Sequence, residues 1–308
     1  AGIAYLPFGS ASLRCLGSTR MCSLRYDQAT FLATHNSMAT TEARFIAPLQ
    51  DPDIISQLNE GARALLLDTY TWETPDEITE RLATSDLPAD LKSSLPSLIN
   101  RANPPKPGLW LCHSVCRAGA EQLIPTLRKL RKWLNANRGE VVTLIIQNGI
   151  TGEQTAHAFS QAGLNRLIFT PPADPHAAWP TLGKMVRSNR RLVVFAEEGD
   201  GPAPWYRNFY QYGMETPYSV RSPQALTCEM YRGVIGKRLF LLNNFITVAG
   251  GSRLDAAKVN GRKFVLDRVH RCEKYRDAVV NFVAVDYASL GDTLGAVQKL
   301  NDDRLSRR

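Results

Sequence analysis

Two of the five histidines in this 308-residue chain sit at the ends of apolar runs: His35 closes "TFLATH" (30–35) and His113 falls near the end of "GLWLCHS" (108–114). Imidazole titrates near neutral pH, so a facing pair can divide one reaction between a general base and a general acid. Between them in sequence, "ARALLLDTY" (62–70) ends in Asp68, Thr69 and Tyr70. A carboxylate at Asp68 can orient an imidazole, hold a divalent cation or accept from a substrate hydroxyl. One histidine at such a position is more often structural than catalytic. Two of them, with an aspartate on the run between, are hard to collect by accident. Asn36, Tyr70, Asn243, Asp286 and Glu197 close these or other apolar runs and are candidates to touch a substrate. Asn36, Asp68 and Gln147 offer the oxygen donors that Ca²⁺ or Mg²⁺ prefers.

The elements that must position these groups are eight apolar runs bounded by polar or turn residues. They are 30–35, 62–70, 108–114, "VVTLIIQN" (141–148), "RLIFT" (166–170), "RLVVFAE" (191–197), "RLFLLNNF" (238–245) and "NFVAVDY" (281–287). Between them, "DPDIISQLNEG", "AEQLIPTLRKLRKWLNANRG", "GEQTAHAFSQAG" and "DTLGAVQKLNDD" carry helical spacing and helix-end signals. Short buried strands alternating with helices imply parallel strands and right-handed crossovers. The expected fold is α/β: a single TIM-type (β/α)8 barrel, with room for distortion, spanning residues 1–308. Residues 1–29 form an N-terminal extension. The long segments 71–107 and 198–237 are expected at the carboxyl face, where barrel active sites gather. An open doubly wound sheet is the alternative, disfavoured because no G-x-G-x-x-G follows the first run.

Hydrophobic residues make up 44% and charged residues 21%, an ordinary globular profile, and the formal net charge is +8. That charge favours an anionic partner such as a phosphate ester or a lipid surface. The clusters "RKLRKW" (128–133), "RSNRR" (187–191) and "RLSRR" (304–308) read as solvated helix faces, and no motif supports a nucleic-acid partner. No run reaches the 18 or so apolar residues of a membrane span. The start "AGIAYLPFGS", without Met or an apolar leader, is what a mature secreted chain would show. Six cysteines fall in local groups, and pairing by proximity gives Cys15–Cys22, Cys112–Cys116 and Cys228–Cys272. Reduced thiols or a zinc site are the alternatives, although the spacing is not C-x-x-C. Oxidation implies an extracytoplasmic location.

At "ATHNSM" (33–38), "QLNEGARALLLDTY" (57–70), "LWLCHS" (109–114) and "EVVTLIIQN" (140–148), the chain resembles the phosphatidylinositol-specific phospholipase C X-domain family. The likeness is closest to its secreted, X-domain-only members. It implies that His35 takes the proton of an inositol 2-hydroxyl attacking phosphorus and that His113 protonates the departing diacylglycerol oxygen. A cyclic phosphate would be the first product, on a phospholipid or related phosphodiester at a membrane surface. The calcium-type pattern of this family includes a glutamate where this chain has Leu66 and another where it has Gln147. Its arginine-type pattern has the arginine where this chain has Tyr70. Glu197, Glu198 and Asp200 stand where some members carry lysines for extra ring phosphates, so polyphosphorylated inositides are not expected. A disulfide between Cys112 and Cys116 would stiffen the loop of the proposed acid. The alternative function is a weak or inactive barrel that binds a phosphoinositide or another phosphorylated ligand.

Overall fold

The computed structural model describes residues 12–84, 87–248 and 250–308, so the start of the N-terminal extension, residues 1–11, lies outside the described residues. Among the described residues, eleven strands form one curled sheet: β1 (Phe31–Thr34), β2 (Ala64–Tyr70), β3 (Trp110–Cys112), β4 (Ala120–Gln122), β5 (Val142–Asn148), β6 (Leu192–Ala196), β7 (Arg207–Asn208), β8 (Gly213–Glu215), β9 (Arg232–Gly233), β10 (Leu239–Asn243) and β11 (Phe282–Val285). The helices are α1 (Ile54–Asn59), α2 (Pro75–Ala83), α3 (Ala89–Ala102), α4 (Leu123–Ala136), α5 (Gly152–Gln161), α6 (Leu182–Ser188), α7 (Phe209–Tyr212), α8 (Arg253–Val259), α9 (Arg262–Arg276) and α10 (Thr293–Ser306).

Eight strands run parallel in the order β7-β6-β5-β2-β1-β11-β10-β8. Among the described residues no ladder joins β7 to β8; the single turn of α7 spans that gap, so the barrel is distorted there. The expected count of eight holds, but two members differ. "RLIFT" contributes only one bridge, Ile168 to Leu192. Leu167 and Ile168 instead pack among α4, α5 and β6, and Phe169 packs against Trp179. The run containing His113 is not a parallel barrel strand either. β3 pairs antiparallel with the end of β2 and with β4. The two barrel members that replace them, β7 and β8, are two and three residues long and lie inside the expected loop 198–237. Strands so short leave no apolar run to detect. Segment 71–107 holds α2 and α3.

The alternation of side chains along each strand sorts the core into layers. Ala64 and Leu66, Ile145, Val193 and Phe195, Leu239 and Leu241, Phe31 and Ala33, and Phe282 and Ala284 fill the barrel interior. Their neighbours Leu65, Leu67, Leu144, Ile146 and Val194 pack outward under α1, α4 and α5. Leu32, Phe240, Leu242, Val283 and Val285 pack under α9 and α10. Local signals fix the helix starts: Asp53 accepts from Ser56 N at α1, and Thr74/Glu77 and Thr151/Gln154 form reciprocal capping boxes at α2 and α5.

Candidate active site

Counting two residues on from the last inward apolar position of each strand gives the top layer of the barrel: His35, Asp68, Gln147, Glu197, Glu215, Asn243 and Asp286. All except Asp286 line one cavity of about 360 Å³, together with Asn36, His113, Leu66, Tyr218, Arg232 and Phe245. The strand period thus aims the sequence candidates at a common space. His113 reaches it by another route, from the β3–β4 hairpin folded against the end of β2.

His35 is held on three sides. Its Nδ1 lies 2.7 Å from Asp286 Oδ1. Its ring stacks on Phe245 with centroids 3.8 Å apart and planes 6° off parallel. Gln50 Nε2 donates to the carbonyls of His35 and Val285, stapling the ends of β1 and β11. Asp286, expected among the substrate contacts, instead lies behind His35 with its carboxyl almost fully buried. Burial raises its pKa above the usual carboxylate range, opposed by the charges of His35 and His113 and by the His35 hydrogen bond.

Asn36 joins the two histidines. With its amide nitrogen donating to both Asp68 oxygens at 3.2 Å, its oxygen accepts from His113 Nδ1 at 2.9 Å and from His35 Nε2 at 3.2 Å. This orientation is the one that satisfies every neighbour. Asp68 Oδ2 lies 3.5 Å from His113 Nδ1, so its charge faces that imidazole while Asn36 holds the shorter hydrogen bond. His113 Nε2 is left for other work. Asn36, Ser114 and Tyr287, the residues immediately after His35, His113 and Asp286, all have left-handed φ of 44°, 65° and 45°. Such backbone is sparsely populated by non-glycine residues and clusters at functional sites. The His113 loop is further locked by the Cys112–Cys116 disulfide and by buried Glu73, which accepts from Cys116 N and pairs with Arg117 at 2.8 Å.

The opposite wall is ionic and aromatic. Glu215, buried on β8, pairs with Arg232 Nε and accepts from Asn243 Nδ2 at 3.0 Å. Arg232 Nη1 lies 3.6 Å from Glu197, and its guanidinium rests over the rings of Tyr210, Tyr218 and Tyr231. Burial pushes the Glu197 carboxyl up to about 7; Arg232 opposes that rise, and Glu215 and Asp68 add to it. Sequence reasoning missed Glu215, Arg232 and Phe245. Glu215 had a signal only in strand parity on a three-residue strand, Phe245 lay at the end of a recognised run, and Arg232 sits on a two-residue strand with no pattern. Tyr70 does not line the cavity and accepts from Gln147 Nε2 at 3.1 Å.

The suggested cation ligands fit such an ion poorly. Asn36 spends its amide on Asp68 and the histidines, and Gln147 turns to Tyr70. Asp68 is then the one carboxylate of the set, and apolar Leu66 forms the wall beside it. Hard divalent cations gain affinity from several anionic oxygens, which this set lacks. Among the described residues no three His, Cys, Asp or Glu side chains gather in metal-holding geometry.

A family model described as PI-PLC X 1 matches residues 98–301, about two thirds of the sequence. The chain belongs to the PI-PLC X family. Similar curated proteins include an "Uncharacterized secreted protein" of Arthroderma benhamiae, 27% identical over 92% of this chain. A "PI-PLC X domain-containing protein 1" of the same fungus is 25% identical over 94% of this chain and 90% of its own length. A PI-PLC X domain-containing protein of Arabidopsis thaliana is 25% identical over 90% of this chain. The chain spans 62% of the length of the first and the last of these relatives. Among solved structures, a variant of the phosphatidylinositol-specific phospholipase C from Staphylococcus aureus superposes with a TM-score of 0.59, covering 91% of this chain and 95% of that one. At 12% identity that likeness carries the fold alone. The PI-PLC X barrel and its ring of polar residues suit a phosphodiesterase-type site in general terms. All three disulfides, Cys15–Cys22, Cys112–Cys116 and Cys228–Cys272, form as expected.

Proposed function

We propose that this chain is a secreted phospholipase C-type phosphodiesterase that uses an internal hydroxyl of its head group as nucleophile. The observation that carries it is the pair of histidines, each facing a carboxylate and joined by the one Asn36 amide, at the mouth of a cavity.

In the first step a head-group hydroxyl oxygen attacks phosphorus while His35 Nε2 takes its proton. Asp286 holds the opposite ring nitrogen and stabilises the imidazolium that forms. The bond from phosphorus to the lipid oxygen breaks, and His113 Nε2 gives that oxygen its proton, leaving a cyclic phosphodiester and a diacylglycerol-type alcohol. Water opens the ring in a second pass with the two roles exchanged. Asn36 marks the proton's destination: its oxygen accepts from His35 Nε2 once that nitrogen is protonated, while its NH₂ stays on Asp68.

The head-group wall would be Glu197, Glu215, Arg232 and Tyr218. Two carboxylates against one guanidinium suit hydroxyl groups and repel additional phosphates, so an unphosphorylated polyol ring is the preferred head group. A lipid substrate gains support from the rim. Ile46, Tyr231 and Leu254 are 79%, 53% and 80% exposed on segments that follow the carboxyl ends of barrel strands. Exposed apolar side chains around a mouth suit peripheral contact with a membrane surface. Secretion is supported by the three disulfides and by the relative named as secreted.

The test is incubation of the purified chain with vesicles containing phosphatidylinositol or phosphatidylcholine, with EDTA or added Ca²⁺, following phosphoester release. Selective release of a cyclic phosphate from the inositol lipid is expected, insensitive to EDTA. Binding without turnover on every phosphodiester offered would favour the ligand-binding barrel instead.

A further inference from the structure

At the barrel end away from the histidines, stretches far apart in sequence surround a groove of about 640 Å³. Arg128, Lys129, Arg131 and Lys132 come from α4, Arg166 from the connection between α5 and β6, and Asn189 closes the end of α6. The last two segments lead back to the start of β6, where Ile168 bridges Leu192, which places the groove at the amino ends of the strands. All five cations are exposed. No carboxylate lines the groove, and none of the five makes an ion pair among the described residues. Arg131 lies against Gly163, where any side chain would collide with its guanidinium.

Helix-dipole compensation does not account for this set. That effect favours cations in a last turn, whereas these four occupy the middle of α4. There Arg128 repels Arg131 and Lys132, and Lys129 repels Lys132, across spacings of three and four residues. Such a concentration of one sign is relieved by an anion that bridges several cations at once. The lining includes Leu167, which is buried, and no aromatic ring, so it lacks the apolar face of a membrane seat and the stacking platform of a single-stranded nucleic acid.

We propose that this groove is a second binding site, for a linear polysaccharide carrying closely spaced sulfate groups. Bound there, the polymer lies behind the barrel and leaves the mouth free to face a lipid surface. Binding does not require the histidine pair.

The experiment measures binding of fluorescein-labelled heparin to the full chain by anisotropy as salt is varied. Arg128→Gln/Lys132→Gln/Arg166→Gln should weaken binding by about tenfold or more near 0.15 M salt and flatten its salt dependence. A control that removes as much charge from α9, Lys263→Gln/Arg271→Gln/Lys274→Gln, should change it by less than about twofold. Equal losses in the two variants would overturn the proposal, because binding would then follow net charge alone. So would tighter groove-dependent binding of a single-stranded oligonucleotide or of phosphatidylglycerol vesicles than of heparin.

Discussion

Glu197 ties the site to a measurable property of the whole fold. Its folded pKa of about 7, against an ordinary 4.5, means that the native state holds this proton more tightly than the unfolded chain does. Between those values the unfolded chain ionises first, so stability falls as pH rises through the window, and the loss is complete above about pH 8. At about 1.36 kcal/mol per pKa unit, the rise corresponds to ~3 kcal/mol. Glu197→Gln keeps the side-chain shape and removes the ionisation. The variant should match wild type near pH 4 and exceed its stability by ~3 kcal/mol near pH 8, which for a chain of this length is a rise in melting temperature of about 5 °C. Thermal and urea unfolding of both proteins, followed by circular dichroism across this range, reads the difference directly. A difference between the two that stays flat with pH would refute the desolvated placement of Glu197 beside Glu215 and Asp68.

Asp286→Asn should lower turnover by on the order of 10²–10⁴-fold with little change in KM, because the amide can favour the wrong His35 tautomer; kinetics on a phosphatidylinositol substrate check this. Cys112→Ala/Cys116→Ala should cost about 2 kcal/mol of unfolding free energy, as expected for closing so short a ring. It should also lower kcat more than the Cys15→Ala/Cys22→Ala pair does, since only the former holds the His113 loop. On mixed vesicles, phosphatidylinositol should be cleaved at least about tenfold faster than its bisphosphorylated derivative, since added phosphates meet two carboxylates in the head-group wall. Equal rates would contradict the proposed head-group wall.

The barrel was legible because its central strands are continuous apolar runs, and His35, Asp68, Glu197, Asn243 and Asp286 follow from counting residues in twos along them. Sequence did not disclose how these residues meet. That Asp286 faces His35 rather than the cavity depends on the β1–β11 pairing, and that Asn36 links both histidines depends on a left-handed turn at one residue. The antiparallel course of β3 was hidden because an apolar run has no direction. β7, β8 and β9 were hidden because two or three residues carry no period. Arg232 and Glu215 were lost with them, and with them the ionic wall that gives Glu197 its environment.

The division of labour between His35 and His113 is the central claim, and leaving-group chemistry tests it most directly. The assay compares wild type, His35→Ala and His113→Ala on inositol phosphodiesters whose leaving group is either an alkyl alcohol or a p-nitrophenol that departs without help. Both variants should lose alkyl substrate turnover by on the order of 10²–10⁴-fold, and His113→Ala alone should regain most of its rate on the nitrophenyl substrate. Equal recovery of both variants, or turnover of the alkyl substrate that survives either substitution, would contradict the assignment of His35 as base and His113 as acid.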